Sequence, residues 1–361
     1  MYRKWAEINT KILAENSQYC KSILSTNCML MAVVKANAYG HGSVECSKVL
    51  LENGADWLGT SSLGESLVLR EHGITAPILC LGIIPPENIS QAIDNNITIT
   101  ICDIDEANAV NNIAKKPVKV HIKTDTGMNR LGFYAKKDES KMKQTVEEIT
   151  EISKMKNIDI EGIFTHFWGE EYSDCKEQFD NFQKLLSLLA DNVINPKIKH
   201  CCNSNAAIRF PEFHLDMCRI GRDLYGYHNP KVTPVMEFKS LIVAIHNVEL
   251  GEGIGYDHTY IASEPRKIAT LPVGYADGYF KLLSHKASVC IGGEIAPVVG
   301  NVCMDMIMLD ITNLKTAPKI GDVVTLYGRE GITMTDMEKW SGMESREITC
   351  DVGRRVPRVY V

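Results

Sequence analysis

Lys35 closes an apolar run, Leu30-Met31-Ala32-Val33-Val34, and opens a polar, glycine-rich stretch, K-A-N-A-Y-G-H-G, over residues 35–42. Burial disfavours the ammonium form, so a lysine placed there is a candidate base or Schiff-base nucleophile. The alternative is a lysine solvated just past a strand. Other polar clusters also follow apolar runs. Lys123, Asp125 and Arg130 lie in K-T-D-T-G-M-N-R-L-G, and His166 lies in T-H-F-W. Asn203 and Ser204 precede the helix-compatible Ala206-Ala207-Ile208, and Arg219 and Gly221 lie in C-R-I-G-R-D-L-Y-G. A helix start at Asn203-Ser204 would bind an anion through free backbone N–H groups, and Gly221 lets backbone approach the same anion. Arg130 supplies a fork for a carboxylate or phenolate oxygen, or else a surface ion pair. His166 could lie against a planar ring, or simply bond at a strand end. A reactive lysine beside an anion site is the usual setting for pyridoxal phosphate.

Further on, G-E-G-I-G-Y-D-H-T-Y (251–260), P-V-G-Y-A-D-G (272–278) and G-N-V-C-M-D-M (300–306) place Tyr256, Tyr260 and Tyr275 in or beside glycine-rich turns. Most tyrosines pack with the hydroxyl at the rim. A tyrosine in such a turn is better placed to put its hydroxyl into a cleft.

Strands are expected at Leu30–Ala36, Trp57–Ser61, Pro77–Leu81, Ile97–Cys102, Val118–Thr124, Ile158–His166, Ile198–Asn203 and Cys218–Ile220. Helical patterns intervene, among them Gly42–Asn53, Ser62–His72, Asp138–Lys156 and Lys176–Asp191. Strands alternating with crossovers predict an α/β fold, an N-terminal (β/α)8 TIM-type barrel whose polar clusters share the C-terminal face where such barrels build their sites. After about His228 the chain turns Val-, Ile- and Thr-rich, with strands expected within Met236–Leu250, Lys267–Pro272, Ala287–Val299, Met304–Ile311 and Val323–Tyr327, and a helix at Asp336–Trp340. The expected division is a barrel over 1–230 and a mostly-β C-terminal domain over 231–361, with the first strand or helix of the chain free to pack against the latter.

Composition sets the remaining bounds. The 361 residues are 45% hydrophobic and 23% charged, with a net charge of −6, which disfavours a nucleic-acid partner. No apolar stretch is long enough to span a membrane, and the N-terminus has no apolar signal core, so a cytoplasmic protein is expected. The 12 cysteines form no C-x-x-C pair and read as reduced thiols. His166, His200 and His214 show no metal spacing, so no metal is expected.

Taken together and in order, A-V-V-K-A-N-A-Y-G-H-G, D-T-G-M-N-R-L-G, F-T-H-F, N-S-N-A-A, R-I-G-R-D-L-Y-G, G-Y-A-D-G and V-C-M-D-M resemble the bacterial alanine racemase family along essentially the whole chain. The resemblance implies a pyridoxal-phosphate barrel followed by a β domain, in a head-to-tail homodimer with shared active sites. It implies an isomerase that interconverts L- and D-alanine through a pyridoxal-phosphate aldimine, supplying D-alanine for peptidoglycan of the cell wall. By motif, Lys35 is similar to the Schiff-base lysine and one of two catalytic bases, and Tyr256 to the second base, contributed by the partner subunit. Arg219 is similar to the arginine at the pyridine nitrogen, and Tyr39, Ser204 and Gly221, with Asn203 beside them, to phosphate ligands. His166 matches the histidine close to the ring. Arg130 and Met304 match residues near the substrate carboxylate, Tyr275 an entrance tyrosine, and Lys123 a lysine often carbamylated.

The chain departs from the family pattern at Asn205, at Trp168-Gly169-Glu170-Glu171, at Arg222 and at Arg354, which stands where many members carry a tyrosine beside the substrate side chain. Racemase domains of vancomycin-resistance serine racemases share the motifs and vary at that last position, so a serine or dual serine/alanine racemase is the alternative. A guanidinium there could bond a serine hydroxyl, or turn outward to a carboxylate or water and simply leave space; either way serine should be tolerated better, by about tenfold. Two other readings are a basic amino-acid decarboxylase, which Arg219 disfavours because that family holds the cofactor nitrogen with a carboxylate, and a non-catalytic pyridoxal-phosphate-binding protein, which would need neither the β domain nor Tyr256.

Overall fold

The computed structural model describes residues 2–361. Its backbone falls into two compact units: residues 14–38 with 43–224, and residues 2–13, 39–42 and 225–361.

The first unit holds the parallel strands β2 (Met29–Val33), β3 (Trp57–Thr60), β4 (Ile78–Cys80), β5 (Thr98–Ile101), β6 (Val118–Asp125), β8 (Ile158–Phe164), β9 (Ile198–His200) and β10 (Met217–Ile220), with the short β7 (Phe133–Tyr134) beside β6. They pair in the order β10-β2-β3-β4-β5-β6-β8-β9. β9 and β10 close the ring through Asp216 N–H to Lys199 O (3.0 Å) and Arg219 N–H to Cys202 O (3.1 Å). The (β/α)8 barrel is therefore present. Strands covered on both sides are apolar throughout, as in Met-Leu-Met-Ala-Val of β2. Side chains fill the interior: Met31, Trp57, Leu79, Phe164, Ile198 and Met217 form one buried cluster.

The outer helices show why their sequences are periodic. Asp138 caps the helix Glu139–Ser153, which buries Met142, Val146, Ile149 and Ile152. The helix Tyr172–Asp191 buries Cys175, Phe182, Leu185 and Leu189 at similar spacing. Removing a ring as deep as Phe182 would cost about 3–5 kcal/mol.

The second unit is built on a nine-stranded sheet. It contains β1 (Lys4–Ile8), β11 (Met236–Leu241), β12 (Ala244–Val248), β15 (Arg266–Leu271), β16 (Ser288–Ile291), β17 (Glu294–Val299), β18 (Ile307–Asp310), β19 (Val323–Tyr327) and β20 (Arg358–Tyr360). A separate ribbon joins β13 (Gly253–Ile254) and β14 (Tyr260–Ile261). β1 runs antiparallel to β11 and parallel to β20, so both chain ends enter this sheet. Two expected runs are each two strands: Met236–Leu250 breaks into β11 and β12, and Ala287–Val299 turns at Gly292-Gly293 into the β16–β17 hairpin.

Candidate active site

Arg219 is the centre of the polar residues in the barrel unit. It is only 4% exposed. Its Nη1 donates to His200 Nδ1 (2.9 Å), and its Nη2 donates to Thr165 O (2.8 Å), Cys201 O (3.0 Å) and His166 Nδ1 (3.2 Å). Nε makes no bond of its own among these. Burial lowers the Arg219 pKa, yet among the described residues no carboxylate forms an ion pair with it. Phe164 lies beneath the guanidinium, 5.3 Å from its carbon.

Cations surround His166. Burial holds its pKa well below the ordinary range, and Arg219, Arg130, Lys123 and Lys35 push it the same way. The imidazole is therefore neutral, and the five residues share one neighbourhood. Lys123 is 6% exposed and bonds backbone only, through Thr124 O and Leu131 O. Its pKa is pushed down to about 8 by burial first, with Arg219 and Arg130 adding to it and Asp125 opposing. Asp125 is committed to Lys136 (2.7 Å). Arg130 is exposed, and among the described residues no hydrogen bond or ion pair holds its side chain.

Ser204 and Gly221 meet directly, with Gly221 N–H donating to Ser204 Oγ (3.0 Å). The hydroxyl hydrogen is then left to point at a further acceptor. The Asn203 side chain is used by the fold, since its Oδ1 accepts from Ala206 N–H (3.1 Å) and caps the short helix Ser204–Arg209.

The stretch after β2 departs from the expected strand Leu30–Ala36. The strand ends at Val33, and Ala36, Asn37, Ala38 and Tyr39 take φ of 51–54°, the left-handed helical region. A left-handed turn of L residues costs roughly 1–2 kcal/mol per residue, and such strain gathers where function over-determines the backbone. Glu65 supplies restraint. Its Oε1 accepts Ala36 N–H (2.7 Å), and its Oε2 accepts Ser61 N–H (2.7 Å). Asn37 Oδ1 accepts Ser43 N–H (2.9 Å). Lys35 thus leaves a buried strand and enters a turn that cannot relax into a helix or strand. Tyr39, at its far end, sets its ring 5.0 Å from that of Tyr225.

The β unit groups its own candidates. Tyr275 N–H donates to Cys303 O (3.0 Å), and Ala276 N–H donates to Met304 O (3.1 Å), so the two loops run side by side. Asn301, in the second loop, donates to Tyr256 O (3.3 Å). Arg355 bonds Asp277 (2.6 Å) and Asp305 (2.6 Å), which fixes the backbone next to Arg354. Arg354 itself is exposed, with no partner among the described residues.

Residues 8–229 match the model of the alanine racemase N-terminal domain, and residues 235–360 match that of the C-terminal domain. The chain belongs to the alanine racemase family. It is similar to the alanine racemase of Methanococcus maripaludis, at 41% identity over 99% of this chain and 98% of that one. It is also similar to alanine racemase 2 of Caldanaerobacter subterraneus, at 38% identity over 98% and 94%. Among solved structures, the alanine racemase of Clostridium difficile 630 superposes with a TM-score of 0.94 at 37% identity, covering 100% of this chain and 96% of that one. That of Bacillus anthracis, solved with bound L-Ala-P, superposes at 0.91 with 33% identity, over 100% and 96%.

Three departures from the alanine racemase pattern prove to be one structure. Asn205 Nδ2 and Arg209 Nη1 donate to the Glu170 carbonyl (3.0 and 2.6 Å), while Arg222 Nη1 pairs with the Glu170 carboxylate (3.1 Å). Arg222 follows Gly221 directly, so the set braces the Ser204–Gly221 contact. Sequence reasoning did not find Glu65, His121, His200 or Glu161 as site-supporting residues. Glu65 had a legible signal, since it sits three residues after the helix cap Ser62. Cys28, His214 and Cys218 lie close together and buried, but His214 is engaged by Ser25 N–H at Nδ1 (3.0 Å) and Ala207 O at Nε2 (2.7 Å), so they read as core packing.

Proposed function

We infer that this chain is an amino-acid racemase that interconverts L- and D-alanine, with pyridoxal phosphate held at Lys35. The observation that carries the reading is Arg219, a buried, donor-only cation with no carboxylate partner, grouped with His166 and Lys35 at the strand ends. The residues fit the cofactor. Lys35, Lys123, Arg130 and Arg219 create a positive field suited to a phosphorylated anion, and Ser204 and Gly221 offer it a hydroxyl beside close-approaching backbone. When bound, pyridoxal phosphate supplies an electron sink that makes the hydrogen on the substrate α-carbon acidic.

Lys35 Nζ removes or returns that proton on one face, and Tyr256 Oη, from a second subunit, does so on the other. Two bases on opposite faces are what inversion requires. Arg219 would hold the ring nitrogen as a donor and give it no proton, because arginine stays charged and its other donors are fixed. The neutral imidazole of His166 can rest against the ring without adding charge. Ser204 and the Gly221 backbone would hold the phosphate, with Tyr39 a further ligand by motif, and Asn203 fixes the helix that carries Ser204. Arg130 and the Met304 N–H receive the substrate carboxylate, and Tyr275 narrows the entrance. Burial eases loss of the Lys123 ammonium proton, and the neutral amine could then add carbon dioxide with release of one N–H proton, leaving a carbamate anion for Arg130 to bond.

In a single chain Tyr256 is 69% exposed, and Ile261, Tyr275, Met304 and Met306 of the same unit are exposed as well, which supports burial of such residues in a head-to-tail homodimer. The D-alanine formed would feed peptidoglycan synthesis. Among the described residues no helix is long and apolar enough to cross a membrane. The relatives and structures named above are all alanine racemases, and they lend the serine reading no support. The test is to load the purified protein with pyridoxal phosphate and follow optical rotation of L-alanine. Decay toward the racemate is expected, and a loaded protein that leaves the rotation unchanged overturns the reading.

A further inference from the structure

The barrel interior contains a line of polar groups where its surroundings are hydrophobic. Arg219 Nη1 meets His200 Nδ1 at 2.9 Å, and His200 Nε2 meets His121 Nδ1 at 2.9 Å. His121 Nε2 faces Glu161 Oε2 at 3.7 Å. Glu161 Oε1 is paired with the exposed Lys119 (2.5 Å). Both histidines are fully buried, and the Glu161 side chain is 11% exposed. Phe164 stacks on His200 at 4.7 Å and 12°, and Trp57 packs against His121 at 5.4 Å. A buried polar chain inside an apolar core is costly unless it is satisfied and used.

The backbone is shaped to build this line. β6 and β8 slip register between Val120 and His121, so that Val120 pairs with Ile160 but His121 pairs with Gly162. Glu161 is the extra residue of that bulge. A bulge re-aims a side chain, here toward His121. Gly162 is required by the same arrangement, because a Cβ there would lie 2.6 Å from the His121 ring.

Chemistry gives the line one direction. Arginine only donates, so His200 Nδ1 must accept and its proton must sit on Nε2. His121 Nδ1 then accepts that proton's bond, and its own proton sits on Nε2, facing Glu161. Burial lowers both imidazole pKa values, which keeps the rings neutral, with Glu161 opposing the shift at His121. Burial pushes Glu161 up, but His121 and Lys119 outweigh it and hold the carboxylate ionised. His121 Nε2 and Glu161 Oε2 have no hydrogen-bond partner among the described residues, so each is the other's natural bond after a small rotation of the carboxylate.

We propose that His200, His121 and Glu161 are positioning residues of this racemase: a one-way relay that pins the Arg219 guanidinium and presents to it, through two neutral imidazoles, the negative charge it lacks nearby. The proposal rests on the reading of Arg219 as the residue at the cofactor ring nitrogen. A fixed, charged, donor-only arginine keeps that nitrogen unprotonated, and the relay keeps the arginine so.

Two measurements test it. The first is ¹⁵N-histidine NMR on the native protein without cofactor at neutral pH, which is independent of catalysis. Two rings, assigned by His121→Asn and His200→Asn spectra, should be neutral and protonated on Nε2. A charged ring at either site, or a His200 proton on Nδ1, overturns the relay. The second is Glu161→Gln in the holoenzyme, which preserves volume and removes the charge. We expect kcat to fall about tenfold with KM changed less than about twofold, as outer-sphere partners commonly give. A folded variant with native kcat overturns the role of the Glu161 charge. If the native holoenzyme does not racemise alanine, the functional reading fails while the NMR result still decides the relay.

Discussion

Arg219 on the barrel is 4% exposed and held by four hydrogen bonds; Tyr256 on the β unit is 69% exposed, and its hydroxyl bonds nothing among the described residues. The contrast extends to their neighbours. His166, Lys123, Ser204 and Gly221 have buried or bonded positions, whereas Tyr275, Met304 and Arg354 are exposed on loops. Cofactor-side residues must hold one geometry in every state, so the fold spends hydrogen bonds on them. Residues that would meet the substrate from a second subunit need only a fixed backbone. The backbone bonds from Tyr275 to Cys303 and from Ala276 to Met304 supply that. On the proposed reading, Arg219 and its bonded neighbours are pre-organised in the barrel, and the other half would depend on assembly.

The largest expected effects break the two halves separately. Lys35→Ala should remove both the anchor and one base, leaving no measurable racemisation and no near-visible absorption from bound cofactor. Tyr256→Phe should keep that absorption and lose activity by about 10²–10⁴-fold, the usual weight of an acid–base group. Mixing the two inactive chains should restore part of the activity, because one mixed site carries both native residues. Verified mixed dimers without recovery would place Tyr256 and Lys35 of one chain in the same site.

A smaller effect belongs to Lys123. Its folded value, about 8, lies below the free lysine's 10.5, so the unfolded chain holds the proton more tightly. Stability of the cofactor-free protein should therefore rise as pH climbs from about 8 to about 10.5, and fall short by about 3 kcal/mol below that window. Urea midpoints measured across it should show the slope in the native chain and lose it in Lys123→Met. Bicarbonate should flatten the native slope if the amine is carbamylated, and should leave the variant unchanged. A native slope that survives Lys123→Met assigns it to another group.

The same contrast explains what could be read before the structure was known. Lys35, Arg219 and the Ser204–Gly221 pair stand at the ends of apolar runs, and local pattern is enough to place them. The end of β2 was overrun because Ala36, Asn37, Ala38 and Tyr39 include no glycine to announce a left-handed turn, and tertiary anchors such as Glu65 impose it. β20 escaped because it is short and pairs far along the chain, as Arg358 does with Ala6; β1 was expected only as a first strand or helix free to pack on the β domain, and its pairing of Lys4 with Ser240 lies beyond local pattern. The Glu161 bulge depends on register between two strands, which single-strand periodicity does not contain. Only the Glu161-Gly162 pair inside an apolar strand hinted at it.

Glu170 offers a finer probe of the barrel half. Its carbonyl and carboxylate gather Asn205, Arg209 and Arg222 around the Ser204–Gly221 contact. The carboxylate is exposed, so the Arg222 pair is worth at most about 1 kcal/mol. Glu170→Ala should weaken cofactor binding by roughly threefold, read as the concentration of pyridoxal phosphate that half-restores absorption, with kcat unchanged at saturation. A tenfold loss would mean that the brace acts on the phosphate site more directly than its geometry suggests.

The smallest effect is expected on the assembling half, at Arg354. The tyrosine common in the family at this place crowds the substrate side chain, and a guanidinium could instead bond a hydroxyl. Here the neighbouring Arg355 bonds both carboxylates, Asp277 and Asp305, and Arg354 is left exposed without a partner among the described residues. An unheld arginine loses much of a bond's net worth of about 0.5–1.5 kcal/mol to the entropy of ordering a long side chain. Arg354→Tyr should therefore change kcat/KM for L-serine relative to L-alanine by less than about threefold, well under the tenfold that the residue type alone suggests. A larger fall in that ratio would show that dimer assembly orders Arg354 toward the substrate, and would move specificity from the barrel to the face that the second subunit completes.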